Sequence, residues 1–586
     1  METNIQPVVY KIDDNIHGLQ EFKSEILNRG FDMEIDIILE YPTVYIHNWN
    51  NKEDYEVYIG ESNNIIQRTK QHYDKKNDKT EWQYQLTTHN ASLYIVGHSC
   101  FNKSLTLDIE NRLMHYMLSV DCVKKIHNKR GNPQRKYYPY KELDNIFQMI
   151  WTKLHKYDKN LFPSESFIKD SAVFKASPLH KLTSDQEMVK NIIIERVFEA
   201  LDSGSRNQLI FIEGEAGTGK TVLNSSAFYE IITKAKEERG EQISCYLMIN
   251  HDEQITVYSQ IARKLGLVEH YGEVVCKPTS FINHHTTEDP IDVAFIDEAH
   301  LLLTQGKQAY QGSNQLQDII DRARVTIVMF DENQILTTEQ YWESEILNRF
   351  RTQAKLKSNY FVLENQLRIK ASKDAILWID KFTKTHIIEE LPENLGGYEI
   401  KIFDKPELLE EALKEKACCE EHKLSRMIAT YDWEYNSKSA SSGRVGKFWE
   451  VIIGNWHKPW NRELEKNLTR KEKSKIRSMS WAEQPHTINE VGSTFTIQGF
   501  DLNFAGVILG PSIKYRNGKI IYDPELKNYK KIKQYRTLSD GTKKQFGEKL
   551  IQNEVRVLMT RGVEGLYIYA CDKELREALL SASKRR

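Results

Sequence analysis

The sequence predicts an α/β multidomain chain: a small mixed α/β domain followed by two lobes built on parallel sheets. Three observations carry this. The chain has 586 residues, enough by length alone for roughly three or four domains. At its middle, an apolar run at 208–213, the stretch GEAGTGKT at 214–221 and a helically spaced run at 222–233 read as strand, glycine-rich loop and helix. Apolar strands then recur at 243–250, 291–296 and 325–330 between helical stretches. Strands alternating with helices make a parallel sheet, which places ligands at the strand carboxyl ends.

Composition narrows the class. Hydrophobic residues make up 40% and charged residues 28%, ordinary for a soluble globular protein. The net charge is −2, so any nucleic-acid site must be a local patch. The 7 cysteines show no C-x-x-C spacing, which favours a reducing, cytoplasmic location and argues against a zinc ribbon. No apolar run reaches about 18 residues, so no membrane span is expected. The N-terminus lacks the basic start and apolar core of a secretory signal.

Residues 1–145 read as the small mixed domain. Their first 40 residues hold one amphipathic stretch, 19–27, and no motif. TVYIH at 43–47 and EVYIG at 56–60 flank an Asn/Asp-rich turn, which predicts an antiparallel hairpin with Tyr45 and Tyr58 on neighbouring strands. A helix starts at 65, with Arg68 and His72 four apart on one face. A second helix spans 104–117 and puts Glu110 on the stripe of Leu107, Met114 and Met117. A carboxylate there needs a charged partner or a metal. Asn132-Pro133 follows a basic loop.

In this order the set resembles the GIY-YIG nuclease family. TVY stands where the family has GIY, with Thr43 replacing the first glycine, and Tyr58-Ile59-Gly60 keeps YIG intact. Arg68, His72, Glu110 and Asn132 follow in the order of the remaining family positions. The resemblance implies phosphodiester hydrolysis with one divalent metal, Mg²⁺ or Mn²⁺, held by Glu110. It implies a motif tyrosine, with the histidine assisting, that activates water, and an arginine that steadies the phosphate. A Lewis acid and a fixed cation are what such a charged transition state requires.

Residues 146–180 read as a connection with some helix, and 181–350 as the first lobe. GEAGTGKT matches G-x-x-x-x-G-K-[ST] at every fixed position. Its members are Gly214, Glu215, Ala216, Gly217, Thr218, Gly219, Lys220 and Thr221. Glycines let backbone N–H groups converge on ATP phosphates, and the helix N-terminus adds the positive end of its dipole. Lys220 would reach the β/γ-phosphates and the Thr221 hydroxyl would ligate Mg²⁺. The apolar strand ending in Asp297-Glu298 has the Walker B shape: Asp297 for Mg²⁺, Glu298 for the attacking water. Gln334, beyond the next strand, fits a reporter of the γ-phosphate. Gln186 precedes the loop by about 30 residues, a position that resembles the adenine-reading glutamine of helicases.

Residues 351–586 read as the second lobe. LENQLR at 363–368, TIQG at 496–499 and RVLMTRG at 556–562 resemble, in order, motifs of superfamily 1 helicases. With NHDEQ at 250–254 and DEAH at 297–300, the motor looks like the schlafen-type helicase family found in bacteria. The resemblance implies ATP between two RecA-like lobes, with Arg368 and Arg561 as arginine fingers. Residues 512–549 look like an insertion whose lysines, arginines and tyrosines suit single-strand backbone contact and stacking, or else a solvated surface loop. The whole reads as an ATP-driven nucleic-acid motor fused to a metal-dependent endonuclease, with DNA the expected partner. Restriction of foreign DNA would suit such a fusion. Repair or recombination, or a nucleotide-gated switch without unwinding, are the alternatives.

Overall fold

The computed structural model describes residues 6–29, 32–51, 54–73, 81–86, 90–128, 137–306, 309–366, 368–436, 447–476, 479–497 and 499–583. Two compact units divide the chain: Met1–Lys181 with Val257–Val274, and Leu182–Thr256 with Val275–Arg586.

The first unit is built on five strands: β1 (Val8–Asp13), β2 (Thr43–Asn51), β3 (Asp54–Ser62), β4 (Asn90–Gly97) and β5 (Val123–Ile126). Their order is β1-β4-β2-β3-β5, antiparallel except that β5 joins β3 in parallel. The expected hairpin is β2–β3, registered so that Tyr45 faces Gly60 and His47 faces Tyr58. The helix Lys103–Leu118 starts where the Asn102 side chain accepts from Leu105 N–H, a cap that satisfies one orphan donor.

The unit does not end at 145. The helix Leu143–Tyr157 repeats buried apolar residues at 143, 146, 147, 150, 151 and 154, a single helical face. Tyr116 meets the rings of Phe147 and Trp151 at centroid distances of 4.7 and 4.9 Å. The stretch expected as a connection is therefore packed structure, and the unit runs to Lys181.

The second unit holds two parallel sheets. The first takes β6 (Gln208–Gly214), β7 (Cys245–Met248), β8 (Val275–Cys276), β9 (Ile291–Ile296), β10 (Ala323–Phe330) and β11 (Tyr360–Leu363) in the order β11-β6-β10-β9-β7-β8. β11 lies beyond 350, so the first lobe's sheet runs past the boundary the sequence suggested. Strands β6, β9 and β10 are apolar almost throughout and buried, as strands covered on both faces must be. The second sheet takes β12 (Glu399–Phe403), β13 (Arg426–Ala429), β16 (Val491–Ser493), β17 (Leu502–Leu509) and β22 (Gly562–Ala570), ordered β12-β22-β17-β13-β16. Between these strands lie three short antiparallel pairs: β14 (Glu450–Ile453) with β15 (Trp456–Pro459), β18 (Ile513–Arg516) with β19 (Lys519–Tyr522), and β20 (Arg536–Thr537) with β21 (Lys543–Lys544).

The last two pairs belong to the 512–549 segment, which is neither a free basic strap nor a solvated loop. Lys527 is fully buried, 2.6 Å from Asp432 and also paired with Glu554. Arg536 is buried and donates to Thr304 O and Thr338 O, both at 3.0 Å. Tyr529 sits between Tyr431 and Phe495 at 5.2 and 5.1 Å. Among the described residues no helix is long and apolar enough to cross a membrane.

Candidate active sites

The first unit gathers most of its sequence-predicted residues around one edge of the β2–β3 hairpin. The Tyr45 and Tyr58 rings stack at 6.3 Å between centroids. Arg68, on the helix Ile65–Tyr73, donates from Nε to the Tyr45 hydroxyl oxygen at 3.4 Å. Burial raises the Tyr45 pKa well above the usual phenol range; Tyr58 and Glu110 push the same way, while Arg68 opposes them. Gly60 is required by close approach. A Cβ there would lie 2.4 Å from the Tyr45 hydroxyl. Glu110 is buried on the helix Lys103–Leu118, and its Oε1 accepts from Asn128 Nδ2 at 2.5 Å. The same nitrogen donates to Ile59 O at 2.6 Å, so Asn128 ties the carboxylate to the YIG strand. Asn132 lies outside the described residues.

His72 is buried and neutral. Desolvation first, then His47 and Arg68, hold its pKa down to about 3. Three residues here had no sequence signal: Asn128, His47, and Trp82, whose ring stacks on Tyr58 at 4.0 Å and 10°. The set suits a divalent cation of the Mg²⁺ kind. Such an ion takes one or two carboxylates and keeps its other sites for water and phosphate oxygens, and Glu110 is the carboxylate of this set that could hold it.

In the second unit the phosphate loop joins β6 to the helix Lys220–Arg239. Gly217 and Gly219 have φ of 86° and 80°, the left-handed region that glycine enters without strain. Lys220 Nζ donates to Gly214 O at 2.7 Å and Glu215 O at 2.9 Å, and lies 3.8 Å from Asp331 Oδ2. Thr221 is the second residue of the helix. Gln186 closes a capping box with Thr183 and donates from Nε2 to Thr218 O at 2.9 Å. Its amide therefore braces the loop, and reading adenine would require it to let go.

Asp297 and Glu298 follow the carboxyl end of β9. Glu298 has φ of 48°, an uncommon conformation for a residue with a side chain and one that clusters at functional sites. Its Oε2 is buried without a hydrogen-bond partner among the described residues, 3.5 Å from His300 Nδ1. Burial lowers the His300 pKa, so that ring is neutral. Asp297 and the Thr221 hydroxyl are the oxygen groups that could ligate Mg²⁺ here, and the N–H groups of the loop are the donors that could hold a nucleotide phosphate.

The two arginines converge on this point from the second lobe. Arg561 is fully buried; Nη2 donates to Gln334 Oε1 at 3.0 Å and Nη1 to Phe500 O at 3.3 Å. Arg368 pairs with Asp501 at 2.7 Å, and its Cβ is 2.6 Å from where a Cβ on Gly217 would stand. A cleft beside them is lined by Glu215, Asp331, Gln334, Gln366 and Arg556 among others. Glu215, Arg556 and Asp331 add roles the motifs did not indicate. Glu215 pairs with Arg556 at 2.6 Å and Lys384 at 3.0 Å, joining the loop to the second lobe. Their signal was present in the sequence, as a non-glycine in the loop and an arginine five residues before the TRG arginine.

The Schlafen group 3 DNA/RNA helicase domain matches residues 207–572, from β6 into the last turn after β22. The chain belongs to this helicase family. An uncharacterized protein of Saccharomyces cerevisiae, YPL245W, is similar at 33% identity over 442 residues, 69% of this chain and 91% of that protein. Similar solved structures include Pif1 helicases unwinding forked double-stranded DNA, at 8% identity, 68% of this chain, 94% of that chain and a TM-score of 0.28. Another is the Candida albicans Pif1 helicase, at 12% identity, 69% of this chain, 98% of that chain and a TM-score of 0.25. The helicase match begins after the first unit's main segment, so the tyrosine, arginine and glutamate cluster lies outside it.

Proposed function

We propose that this Schlafen group 3 helicase is an ATP-driven translocase on DNA whose first unit is a GIY-YIG-type, metal-dependent endonuclease. The motor half rests on family membership and on the arrangement around the phosphate loop: Lys220 lies 3.8 Å from Asp331, Arg561 donates to Gln334 and feels the charges of Arg368 and Glu298, and Arg368 packs against Gly217. The nuclease half rests on one observation: Tyr45, Tyr58, Arg68, His72 and Glu110, spread over 66 positions (110 minus 45, counting both), meet around one hairpin. A divalent cation on Glu110 would supply Lewis-acid polarisation of the phosphate. Arg68 supplies a fixed positive charge beside it, and Tyr45 and His72 offer the groups through which a water proton leaves. A motor joined to a cutter suits the restriction of foreign DNA.

The test is cleavage of plasmid DNA with Mg²⁺ or Mn²⁺, with and without ATP. Glu110→Ala should abolish cutting while leaving ATP hydrolysis intact, and Lys220→Ala should abolish hydrolysis and alter cutting. Wild type that hydrolyses ATP but cuts neither DNA nor RNA would remove the nuclease half. A switch without unwinding is the second reading, favoured by the ion pairs from Glu215 to Arg556 and Lys384, which tie the phosphate loop to the second lobe. Strand displacement by the wild type would exclude it.

A further inference from the structure

Asp14, His47 and His72 form a buried hydrogen-bonded chain that no motif marks. Their exposures are 2, 0 and 5%. Asp14 follows β1, His47 is on β2, and His72 is on the helix Ile65–Tyr73. His47 Nδ1 lies 2.6 Å from Asp14 Oδ2, and His47 Nε2 lies 3.1 Å from His72 Nδ1. The other Asp14 oxygen accepts the Tyr73 hydroxyl at 2.5 Å.

The order of donors fixes the protons. An ionised carboxylate only accepts, so His47 Nδ1 carries a hydrogen. When that hydrogen is the only one on the His47 ring, Nε2 presents a lone pair and His72 Nδ1 donates to it. The neutral His72 is left with its lone pair on Nε2. Its ring lies 5.7 Å from the Tyr45 ring and 5.8 Å from the Tyr58 ring, centroid to centroid. A carboxylate that selects a histidine tautomer through a hydrogen bond is a known way to prepare a general base.

Resting on the nuclease reading above, we infer that Asp14 and His47 are positioning residues for phosphodiester cleavage: they hold His72 as the Nδ1–H tautomer and present Nε2 to the attacking water. In the step, a water proton passes to His72 Nε2 as the water oxygen bonds to phosphorus. The P–O ester bond breaks, and the leaving oxygen takes a proton from solvent. The segment before the hairpin thereby contributes to the site through Asp14.

The test combines ¹⁵N NMR of the full chain labelled at histidine with steady-state cleavage of plasmid DNA in Mg²⁺. His72→Gln assigns the His72 signals. Wild type should show a protonated Nδ1 and a bare Nε2 at His72. Asp14→Asn should shift His47 and His72 toward the opposite tautomer and lower kcat by about 10²-fold with KM within threefold. His47→Gln, whose amide oxygen can accept from His72 Nδ1, should retain more activity than His47→Leu; this pair decides the matter if Asp14→Asn does not fold. Asp14→Asn cutting at the wild-type rate, or a wild-type His72 protonated at Nε2, overturns the inference. Wild type that cuts nothing overturns the nuclease reading and the positioning role with it. A His72 Nδ1–H signal would then show that the hydrogen-bond chain exists without that role.

Discussion

Taking a guanidinium fully out of water costs several kcal/mol unless its donors are met. Arg561 has Gln334 and Phe500 as partners and an Nε with none among the described residues. Burial, then the like charge of Arg368, holds its pKa down to about 10. On the proposed function, this is a cation arranged for an anion that arrives later, the γ-phosphate of ATP. Lysine keeps the charge and loses the fork. Arg561→Lys should therefore lower ATP turnover by about 10³-fold while nucleotide affinity changes less than tenfold. Phosphate release and a fluorescent-nucleotide titration read the two quantities. Equal losses in both would make Arg561 a ground-state anchor instead.

At the scale of elements, the 512–549 segment shows where charge counting fails. Its lysines look like a nucleic-acid strap in sequence, yet Lys527 is a structural cation between Asp432 and Glu554, whose pull raises its pKa against burial. Lys527→Met leaves two buried carboxylates without a cation and should destabilise the second lobe by about 3–5 kcal/mol. Alanine at the exposed Lys519, Lys530, Lys543 and Lys544 should move the melting midpoint little, the effect being within about 0.5 kcal/mol. Any loss of single-strand affinity should fall on those four, and denaturant melts with a labelled oligonucleotide titration separate the outcomes. Other elements were legible because local rules force them. The phosphate loop needs glycine at Gly217 and Gly219 for its left-handed turns, buried parallel strands need unbroken apolar runs, and the β2–β3 hairpin needs two strand-forming runs about a turn. Asp14 with His47, Asn128 with Glu110, and Lys527 with Asp432 were not legible. Each pair meets only through the tertiary fold, with no periodicity or spacing to mark it. The helix Leu143–Tyr157 is legible in its apolar face, but its packing into the first unit is not, because the mixed polar and aromatic residues after it, with Pro163 and Pro178, read as a connection.

At the scale of the molecule, the path of the chain matters more than the order of motifs. The first unit is not a contiguous N-terminal piece: it is completed by Val257–Val274, a segment from within the region matched by the helicase domain. Lys264 in that segment is buried and donates to Leu118 O and Val120 O, both at 2.8 Å. Leu118 ends the helix that carries Glu110, and a cation on its last carbonyls favours that helix end. Lys125 adds an ion pair to Glu269 at 2.6 Å. A fragment of residues 1–181 should therefore melt below the unit as it stands in the full chain, with faster hydrogen exchange over 103–118. The pH dependence identifies the contact. Burial lowers the Lys264 pKa to about 8, against 10.5 when unfolded, so between these values the unfolded state binds more protons. The penalty for the buried charge is present in full below pH 8 and is relieved as pH rises toward 10.5. Lys264→Met removes both the penalty and the two hydrogen bonds, so its stability relative to wild type should fall across that window, by up to a few kcal/mol. A difference that stays flat from pH 8 to 10.5 would mean that Lys264 keeps its proton throughout, and that its two carbonyl partners outweigh the loss of water.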